Sequence, residues 1–303
     1  MKINAVDIAN FLNLNLIGKN IKISEVSSAN EIKLNSLSFI NKTNFEENIN
    51  IEALYIVPCD KQINLESKAS YIKCDNPRLV FAKVVNNFFN FYKKENKISQ
   101  LSKIAKSAII GENVSIGEFC VIGENVNIAD NTILNNNVII FDNTKIGNSC
   151  YIKSGTIIGE DGFGFDFETD KMPVRIPHLG SVVIGDNVEI GAKCTIARGT
   201  LSNTIINNDV KIDDQVHIAH NCDIGEKTVI TACAEISGSV KVGKRCWIGP
   251  NVSIIQKVTI GDDVVIGIGA VVTKDIESKK KYMGLESFEL KDLLKIKKIL
   301  GLR

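Results

Sequence analysis

The sequence is poor in several residue types and lacks the patterns that mark redox sites and membrane spans. Its 303 residues include only three histidines, three methionines, five prolines and one tryptophan. The eight cysteines form no C-x-x-C pair, and no run of 18 uncharged apolar residues occurs. The N-terminus shows no basic segment followed by an apolar stretch. We therefore expect a soluble, cytoplasmic protein with reduced thiols and no integral membrane segment.

Charge of either sign is not in excess. The 36 Lys and Arg residues nearly balance the 35 Asp and Glu residues, which leaves a net charge of +1. No strong field is present to recruit nucleic acid, so no nucleic-acid partner is expected. The apolar content of 44% lets a chain of this length bury a full core, in one large or two medium domains.

The most informative feature is an aliphatic residue that recurs every six positions. The series comprises 25 hexads in three runs, Ile104 to Ile158, Ile184 to Ile196 and Ile206 to Val272. A six-residue period fits neither an α-helix nor a simple strand, but it fits a triangular solenoid in which each side is a short strand plus a corner. The sequence therefore predicts a mainly β fold, a left-handed parallel β-helix of about eight coils. Glycine follows many of these aliphatic residues, where we expect the chain to turn.

Three regions follow from this pattern. Residues 1–100 read as a small α/β domain, with a helix in "VDIANFLN", a strand in "ASYIKC" and a second helix capped by Asn76 with Pro77 in its first turn. Residues 101–275 form the β-helix, and residues 276–303 a helical tail. The excess of Lys and Arg in the tail indicates either a solvated basic face or a docking surface for an acidic partner.

The six-residue repeat also predicts where five of the cysteines lie and where the chain departs from the coil. Five cysteines lie four residues after a repeat aliphatic, so we expect them to fill an inward position for small residues: Cys120, Cys150, Cys194, Cys222 and Cys246. The 26-residue gap between Ile158 and Ile184 cannot continue the coil. It predicts an insertion loop at residues 159–183.

Two of the three histidines stand in "HIAHNC", residues 217 to 222. In the hexad frame His217 and His220 both point outward. A side of the solenoid can pair with a copy of the chain, and an outward histidine then lies in a cleft between chains. The residues alone leave three interpretations open, namely zinc ligands, surface side chains or a catalytic base.

Three segments carry a family resemblance: "IIGEDGFGF" (157–165), "VVIGDNVEIGAKCTIARGTLSNT" (182–204) and "KIDDQVHIAHNCDIG" (211–225). In this order they resemble the UDP-3-O-acylglucosamine N-acyltransferases of the lipid A pathway and their relatives. Residues 37–45 and 69–89 are similar to the uridine-binding module of that family, so the resemblance covers nearly the whole chain.

The resemblance implies a homotrimer with His220 in a cleft between subunits. This imidazole would take a proton from the amino group of a sugar as that nitrogen attacks an acyl thioester. Asp213 would orient the imidazole or balance its charge, and the backbone N–H of Gly238 would stabilise the oxyanion. No cofactor is expected besides the co-substrate, an acyl-CoA or an acyl carrier protein.

Binding residues are implied in the same way. The aromatic rings at positions 39 and 45 would flank the nucleotide base; Phe45 replaces the usual Tyr, and a π-face suffices for stacking. Aromatic residues of the insertion loop would wall the cleft. The candidate substrate-binding residues are Phe39, Phe45, Phe163, Phe165, His178, Asn221 and Gln256.

Some positions depart from the family pattern. Ala197 stands where the lipid A enzymes usually carry Asp, Gln256 follows Ile255 where they carry a Gly-His pair, and "YMGLESFEL" lacks their G-x-P turn. These departures favour a paralogue that acylates a UDP- or dTDP-linked amino sugar from acyl-CoA for a surface glycan. The alternative is the lipid A enzyme itself, with a hydroxyacyl group on acyl carrier protein.

Two other classes share the solenoid. The γ-type carbonic anhydrases hold zinc with three histidines, but here His178 lies on the insertion while His217 and His220 straddle a corner, which argues against convergence on one ion. We therefore expect no metal. A non-enzymatic scaffold is disfavoured by the insertion loop and by the uridine-module resemblance.

Overall fold

The computed structural model describes residues 2–41, 51–62, 68–89, 97–284 and 289–299. The chain divides into two compact units, Met1–Lys93 and Lys94–Arg303. No helix in these described ranges is long and apolar enough to cross a membrane.

The described residues of the first unit form a five-stranded sheet and two α-helices. The strand order is Leu16–Ile17, Ser70–Cys74, Leu54–Pro58, Ser36–Phe39 and Glu25–Val26; the first pair is antiparallel and the others are parallel. A separate antiparallel pair joins Ile3–Asn4 to Lys22–Ile23. The helices span Ala5–Leu12 and Pro77–Val84.

The second of these helices begins as the sequence predicts. The Asn76 side chain accepts a hydrogen bond from the Leu79 N–H at 3.1 Å, and Pro77 occupies the first turn, where its missing N–H costs nothing. The helix continues as a π-helical segment over Val85–Phe89, which the sequence pattern did not indicate.

The second unit is the solenoid, with three parallel sheets along its length. Face 1 contains Lys103–Ile104, Val121–Ile122, Ile139–Ile140, Ile157–Glu160, Thr195–Ala197, His217–Ile218, Glu235–Ile236, Ser253–Ile254 and Val271–Val272. Face 2 contains Ile109–Ile110, Asn127–Ile128, Lys145–Ile146, Val182–Ile184, Thr204–Ile206, Asp223–Ile224, Lys241–Val242 and Thr259–Ile260. Face 3 contains Ser115–Ile116, Ile133–Leu134, Tyr151–Ile152, Glu189–Ile190, Lys211–Ile212, Val229–Ile230, Trp247–Ile248, Val265–Ile266 and Lys281–Tyr282. A helix, Leu290–Ile299, follows.

Stacking of equivalent hexads builds the core. In regular coils each strand pairs with the strand 18 residues later, as Ile122 pairs with Ile140. The repeat aliphatic is buried at every hexad from Ile116 to Val272. Ile104 and Ile110, in the first coil, are half-buried because no full coil precedes them. The predicted fold class, a mainly β left-handed parallel β-helix, is confirmed.

The corners differ from the sequence expectation in one respect. The turning residue is the third after the aliphatic, such as Asn113, Asn125 or Asn221, with φ of 57°, 56° and 61°. Glycines directly after the aliphatic do not have positive φ in regular coils; a Cβ at Gly117 would lie 2.3 Å from Asn136 Oδ1 and 2.7 Å from a backbone carbon. These glycines are therefore required by the close approach of the next coil and not by the turn.

The five repeat cysteines occupy the predicted inward position. All five are buried, and each thiol donates to a backbone carbonyl, as Cys222 Sγ does to Ser237 O at 3.2 Å. Burial raises the pKa of Cys222 to about 12 and that of Cys194 to about 11. Two cysteines outside this set, Cys59 and Cys233, are exposed, so the expectation of buried thiols does not extend to them.

Thiol titration of the native protein is expected to separate these classes. Cys233 and Cys59 should react with an aromatic disulfide reagent without unfolding, Cys59 more slowly because its hydrogen bond with Asp75 raises its pKa. The buried thiols should react only at the rate of unfolding, because the reagent cannot reach them and burial raises their pKa. Replacing both exposed cysteines by serine should abolish the fast phase. A fast phase of more than two thiols per chain would contradict the inward placement.

Candidate active site

The hexad repeat is interrupted twice, and both times the extra residues project from the solenoid at the corner between face 1 and face 2. The insertion at 159–183 follows Ile158, and a four-residue excess follows Ile196. One column of residues runs along this corner, each two positions after a face 1 aliphatic: Asp142, Glu160, Arg198, His220, Gly238 and Gln256. His220 thus lies on the same corner as both insertions.

The tautomer of His220 follows from its neighbour Asn221. Asn221 Oδ1 accepts from the Thr200 N–H at 3.1 Å, which identifies this atom as the oxygen, and it lies 3.0 Å from His220 Nδ1. Because an amide oxygen only accepts, Nδ1 must carry the proton, and Nε2 keeps its lone pair. Asn221 Nδ2 donates to Ser202 Oγ at 2.8 Å, which fixes the amide. His220 is thereby prepared to act as a base through Nε2.

Gly238 lies one coil further along the column and against the imidazole. A Cβ at this position would be 2.7 Å from both Cε1 and Nε2 of His220, so only glycine allows the ring to lie there. Gly238 is buried, and its N–H has no acceptor among the described residues, while its carbonyl accepts from the Lys257 N–H at 2.9 Å. An N–H donor close to a base is the arrangement that acyl transfer needs.

The insertion returns a second histidine to this corner. His178 is 4% exposed, and its ring lies edge-on to that of His220 with the ring centres 5.2 Å apart. Burial lowers the pKa of His178, and the nearby His220 lowers it further, against smaller opposing effects of Asp161 and the Ile176 carbonyl. His178 is therefore neutral near pH 7.

Arg198 holds the start of the insertion. Its Nε donates to the Gly159 carbonyl at 2.5 Å, its Nη2 donates to the Asp142 carbonyl at 3.2 Å, and its backbone N–H donates to Glu160 O at 2.9 Å. The insertion then forms an antiparallel hairpin of Phe165–Phe167 with Pro173–Arg175, where the sequence predicted only a loop. Ala197 is buried at 6% exposure beside this anchor.

Two other residues singled out in the sequence do not contact His220 within one protomer. Asp213 follows a face 3 strand, so it lies at a different corner, where its carboxylate accepts from the Asp214 N–H at 2.8 Å. It has no contact with His220 among the described residues. His217 lies on face 1, with Nδ1 2.6 Å from Thr195 Oγ1 and Nε2 3.9 Å from a Glu235 carboxylate oxygen.

The aromatic candidates have different surroundings. Phe163 is 85% exposed, and Phe165 packs against it, with ring centres 4.9 Å apart and the Arg175 guanidinium 5.0 Å above its own ring. Gln256 is exposed two coils beyond His220. In the first unit, the Phe39 ring is 4.7 Å from that of Phe81 and lines an open groove of about 530 Å³ with serines of the 27–30 segment. Phe45 lies outside the described residues.

Thr200 and Ser202 are the site residues that the sequence analysis missed. They hold Asn221, and through it His220, from the four-residue excess after Ile196. The register slip itself was the available signal, because extra residues at a corner must leave the coil there. In the part of the chain that the structure describes, no three His, Cys, Asp or Glu side chains are arranged to hold a metal ion.

The chain is similar in sequence and fold to known acyltransferases. Residues 203–238 and 239–274 match the bacterial transferase hexapeptide family (six repeats), and residues 181–201 match the hexapeptide repeat of succinyl-transferase. Among solved structures, the chain resembles the UDP-N-acetylglucosamine acyltransferase of Bacteroides fragilis, with a TM-score of 0.54 and 32% identity over 59% of this chain and 68% of that one. It also resembles that of Francisella novicida, with a TM-score of 0.57 and 28% identity over 68% and 79%. The chain is thus a hexapeptide-repeat acyltransferase.

A more specific relationship comes from full-length similarity. The chain is 39% identical to the UDP-3-O-acylglucosamine N-acyltransferase of Campylobacter lari over 97% of this chain and 96% of that protein. It is 33% identical to the enzyme of the same name from Herminiimonas arsenicoxydans over 42% of this chain and 36% of that protein. The chain belongs to the UDP-3-O-acylglucosamine N-acyltransferase family. The predictions of family and of N-acyltransferase activity are confirmed.

Proposed function

We propose that this enzyme transfers an acyl group from a thioester donor to the amino group of UDP-3-O-acylglucosamine. The observation that carries the proposal is the position at one corner of His220, whose Nε2 can act as a base, next to Gly238, whose N–H has no acceptor among the described residues. The similarity to the Campylobacter lari enzyme along nearly its whole length supports the same acceptor. This is the alternative of the sequence analysis, and the full-length similarity favours it over the paralogue.

In the proposed mechanism, His220 and Gly238 account for each proton transfer and for the charge on the carbonyl oxygen. The neutral sugar amine attacks the thioester carbonyl carbon, and a C–N bond forms as the carbonyl π pair moves to oxygen, which accepts from the Gly238 N–H. His220 Nε2 takes the proton that the nitrogen loses. The intermediate collapses, the C–S bond breaks, and the imidazolium returns the proton to the leaving sulfur. Asn221 supports each step by holding Nδ1–H.

A homotrimer is part of the proposal. Large apolar side chains on the two insertions that flank His220 are strongly exposed in one protomer, with Phe163 at 85%, Leu179 at 75% and Leu201 at 83%. Apolar surface of this kind is normally covered by a partner. Closed threefold association of solenoids would cover it, and a sedimentation mass of three times the 33.2 kDa chain is the expected result. Asp213, which lies at a different corner from His220 in its own chain, would then act across a subunit boundary.

For the nucleotide, the groove beside Phe39 is the proposed base site. The Phe39 ring lines this groove, where Ser27, Ser28 and Asn30 supply hydroxyl and amide groups for a uracil edge. The basic residues of the C-terminal helix, among them Lys291, Lys295 and Lys298, suit an acidic acyl carrier protein.

A second candidate is favoured by one specific observation. The buried Ala197 and the exposed Gln256 replace polar residues that the family resemblance leads one to expect near the cleft. A changed pocket fits a short acyl group on coenzyme A and a UDP- or dTDP-linked amino sugar without the 3-O-acyl chain.

Paired assays of the purified enzyme decide between the two. We expect free thiol and an amide product from hydroxyacyl carrier protein with UDP-3-O-acylglucosamine, measured by thiol release and product mass. The His220→Ala variant provides the matched blank. Turnover only with short-chain acyl-CoA and a UDP- or dTDP-linked amino sugar would select the second candidate. Absence of amide with every pair would contradict the proposed function.

A further inference from the structure

The ring nitrogens of His178 have an unusual environment. The residue is 4% exposed, and neither Nδ1 nor Nε2 has a hydrogen-bond partner of acceptable geometry among the described residues. Buried polar side-chain atoms are hydrogen-bonded in the large majority of cases, and an unpaired one destabilises the fold. An apolar side chain would pack here without this cost, so packing alone does not account for a histidine at this position.

The position of His178 places these nitrogens at the acyl-transfer site. Its ring meets that of His220 edge-on, at an interplanar angle of 70°. Gly162 lies against both rings, because a Cβ there would be 2.8 Å from His178 Nε2 and 3.0 Å from His220 Cδ2. His178 Nε2 therefore faces the backbone of Gly162.

That segment, residues 161–165, covers His178 without bonding to its ring. A Cβ at Gly164 would lie 3.0 Å from His178 Cε1, so both glycines of "DGFGF" allow the backbone to approach this ring closely. Between them the Phe163 side chain is 85% exposed. Arg198 anchors the chain just before the segment through Gly159, and the Arg175 guanidinium over Phe165 holds it just after. Because His178 is 4% exposed, binding of a ligand at Nε2 requires these glycines to shift between the two anchors.

We propose that His178 is a specificity-determining residue that hydrogen-bonds, through a ring nitrogen, the oxygen substituent on the sugar carbon adjacent to the reacting amine. In UDP-3-O-acylglucosamine this oxygen belongs to the 3-O-ester. The inference rests on the proposed function, because it takes the amine to be at His220 Nε2. Substituents on adjacent ring carbons are close together, which suits two imidazoles with centres 5.2 Å apart.

The charge state of His178 fits an uncharged oxygen. Burial and the nearby His220 keep this imidazole neutral, so it bears one N–H donor and one lone pair. An ester or hydroxyl oxygen needs no more than that donor. A phosphate would instead favour the imidazolium, which the buried surroundings oppose.

Three variants separate the effect of the His178 ring nitrogens on substrate binding from the effect of the ring's shape. His178→Phe keeps a ring against His220 and Gly162 but removes both nitrogens, whereas His178→Gln keeps an N–H donor. His217→Gln, which removes a histidine from face 1 of the same coil as His220, is the matched control. We expect His178→Phe to weaken binding of UDP-3-O-acylglucosamine about 10- to 100-fold by calorimetry without donor, since it leaves a ligand oxygen unpaired. His178→Gln should restore most of the affinity, and the control should be near wild type.

A second acceptor makes the test specific. With the 3-deoxy analogue, UDP-2-amino-2,3-dideoxyglucose, wild type and His178→Phe should bind equally, because the oxygen that His178 recognises is missing. An equal loss with both acceptors would show a structural role and overturn the inference, as would unchanged affinity for UDP-3-O-acylglucosamine in His178→Phe. Amide formation by the wild type tests the proposed function separately, since binding is measured without the donor.

Discussion

Replacing His220 by alanine is expected to lower kcat by about 10² to 10⁴, with little change in KM for the thioester donor. The amine must lose a proton as it becomes an amide nitrogen, and His220, whose Nδ1 faces Asn221 Oδ1, lies against Gly238 with Nε2 available to take that proton. Initial rates over a range of donor and acceptor concentrations separate kcat from the two KM values. The unfolding midpoint should stay close to wild type, because the half-buried ring is not part of the solenoid core.

His217→Ala is the control for this experiment. His217 is three residues away on face 1, 40% exposed and engaged with Thr195 and Glu235, so its loss should reduce kcat less than about tenfold. The two variants remove the same side chain from neighbouring positions and differ only in what it faces. Similar losses in both would mean that the roles of the two histidines have been assigned wrongly.

The core of the solenoid could be predicted from the sequence because one physical requirement repeats. Each hexad buries one aliphatic side chain on its equivalents in the coils above and below, so the period is visible without any structure. The corner geometry was less visible. Asn, Ser, Lys, Asp and Phe all adopt positive φ at the third position, for example Asn113, Phe119 and Ser149, so the turn carries no single residue signature.

The site was predictable only where it belongs to the repeat. The hexad frame gives His220 and Gly238 the same corner, one coil apart, and the structure places them in contact. The site residues that lie on the two insertions are outside the six-residue repeat, so the repeat could not predict their positions. His178 and Thr200 reach the corner through loops whose path depends on tertiary contacts such as the Leu179 N–H to Thr200 O bond at 2.6 Å.

Asp213 and Asn221 also show that proximity to His220 could not be predicted from the sequence: one lies farther from the ring than expected and the other closer. Both stand in the motif around the histidines, and the family resemblance implies that the Asp213 carboxylate orients the imidazole or balances its charge. In the structure, one hexad step turns Asp213 to another corner, whereas Asn221 adjoins His220 and fixes its Nδ1 proton. Distance in sequence along a triangular coil is a poor guide to distance in space, because each six residues change the face.

Gly238→Ala is expected to be nearly as damaging as loss of the base, with kcat reduced about 10²-fold. The added Cβ would lie 2.7 Å from Cε1 and Nε2 of His220, so the imidazole must move by an appreciable fraction of an ångström. Displacements of this size are enough to disturb a proton transfer that depends on alignment. Gly238 does not have positive φ, so alanine fits its backbone and the thermal midpoint should change little.

The double variant with His220→Ala tests this cause. With the imidazole removed, the methyl group has space, and Gly238→Ala should then lower the residual rate no further. The backbone N–H is present in all four proteins, so a stabilised oxyanion is common to them. If Gly238→Ala still lowers kcat by about 10²-fold in the His220→Ala background, displacement of the His220 ring cannot be the cause. The methyl group would then have to act on the N–H itself, by shifting the donor relative to the carbonyl oxygen that it is meant to bind.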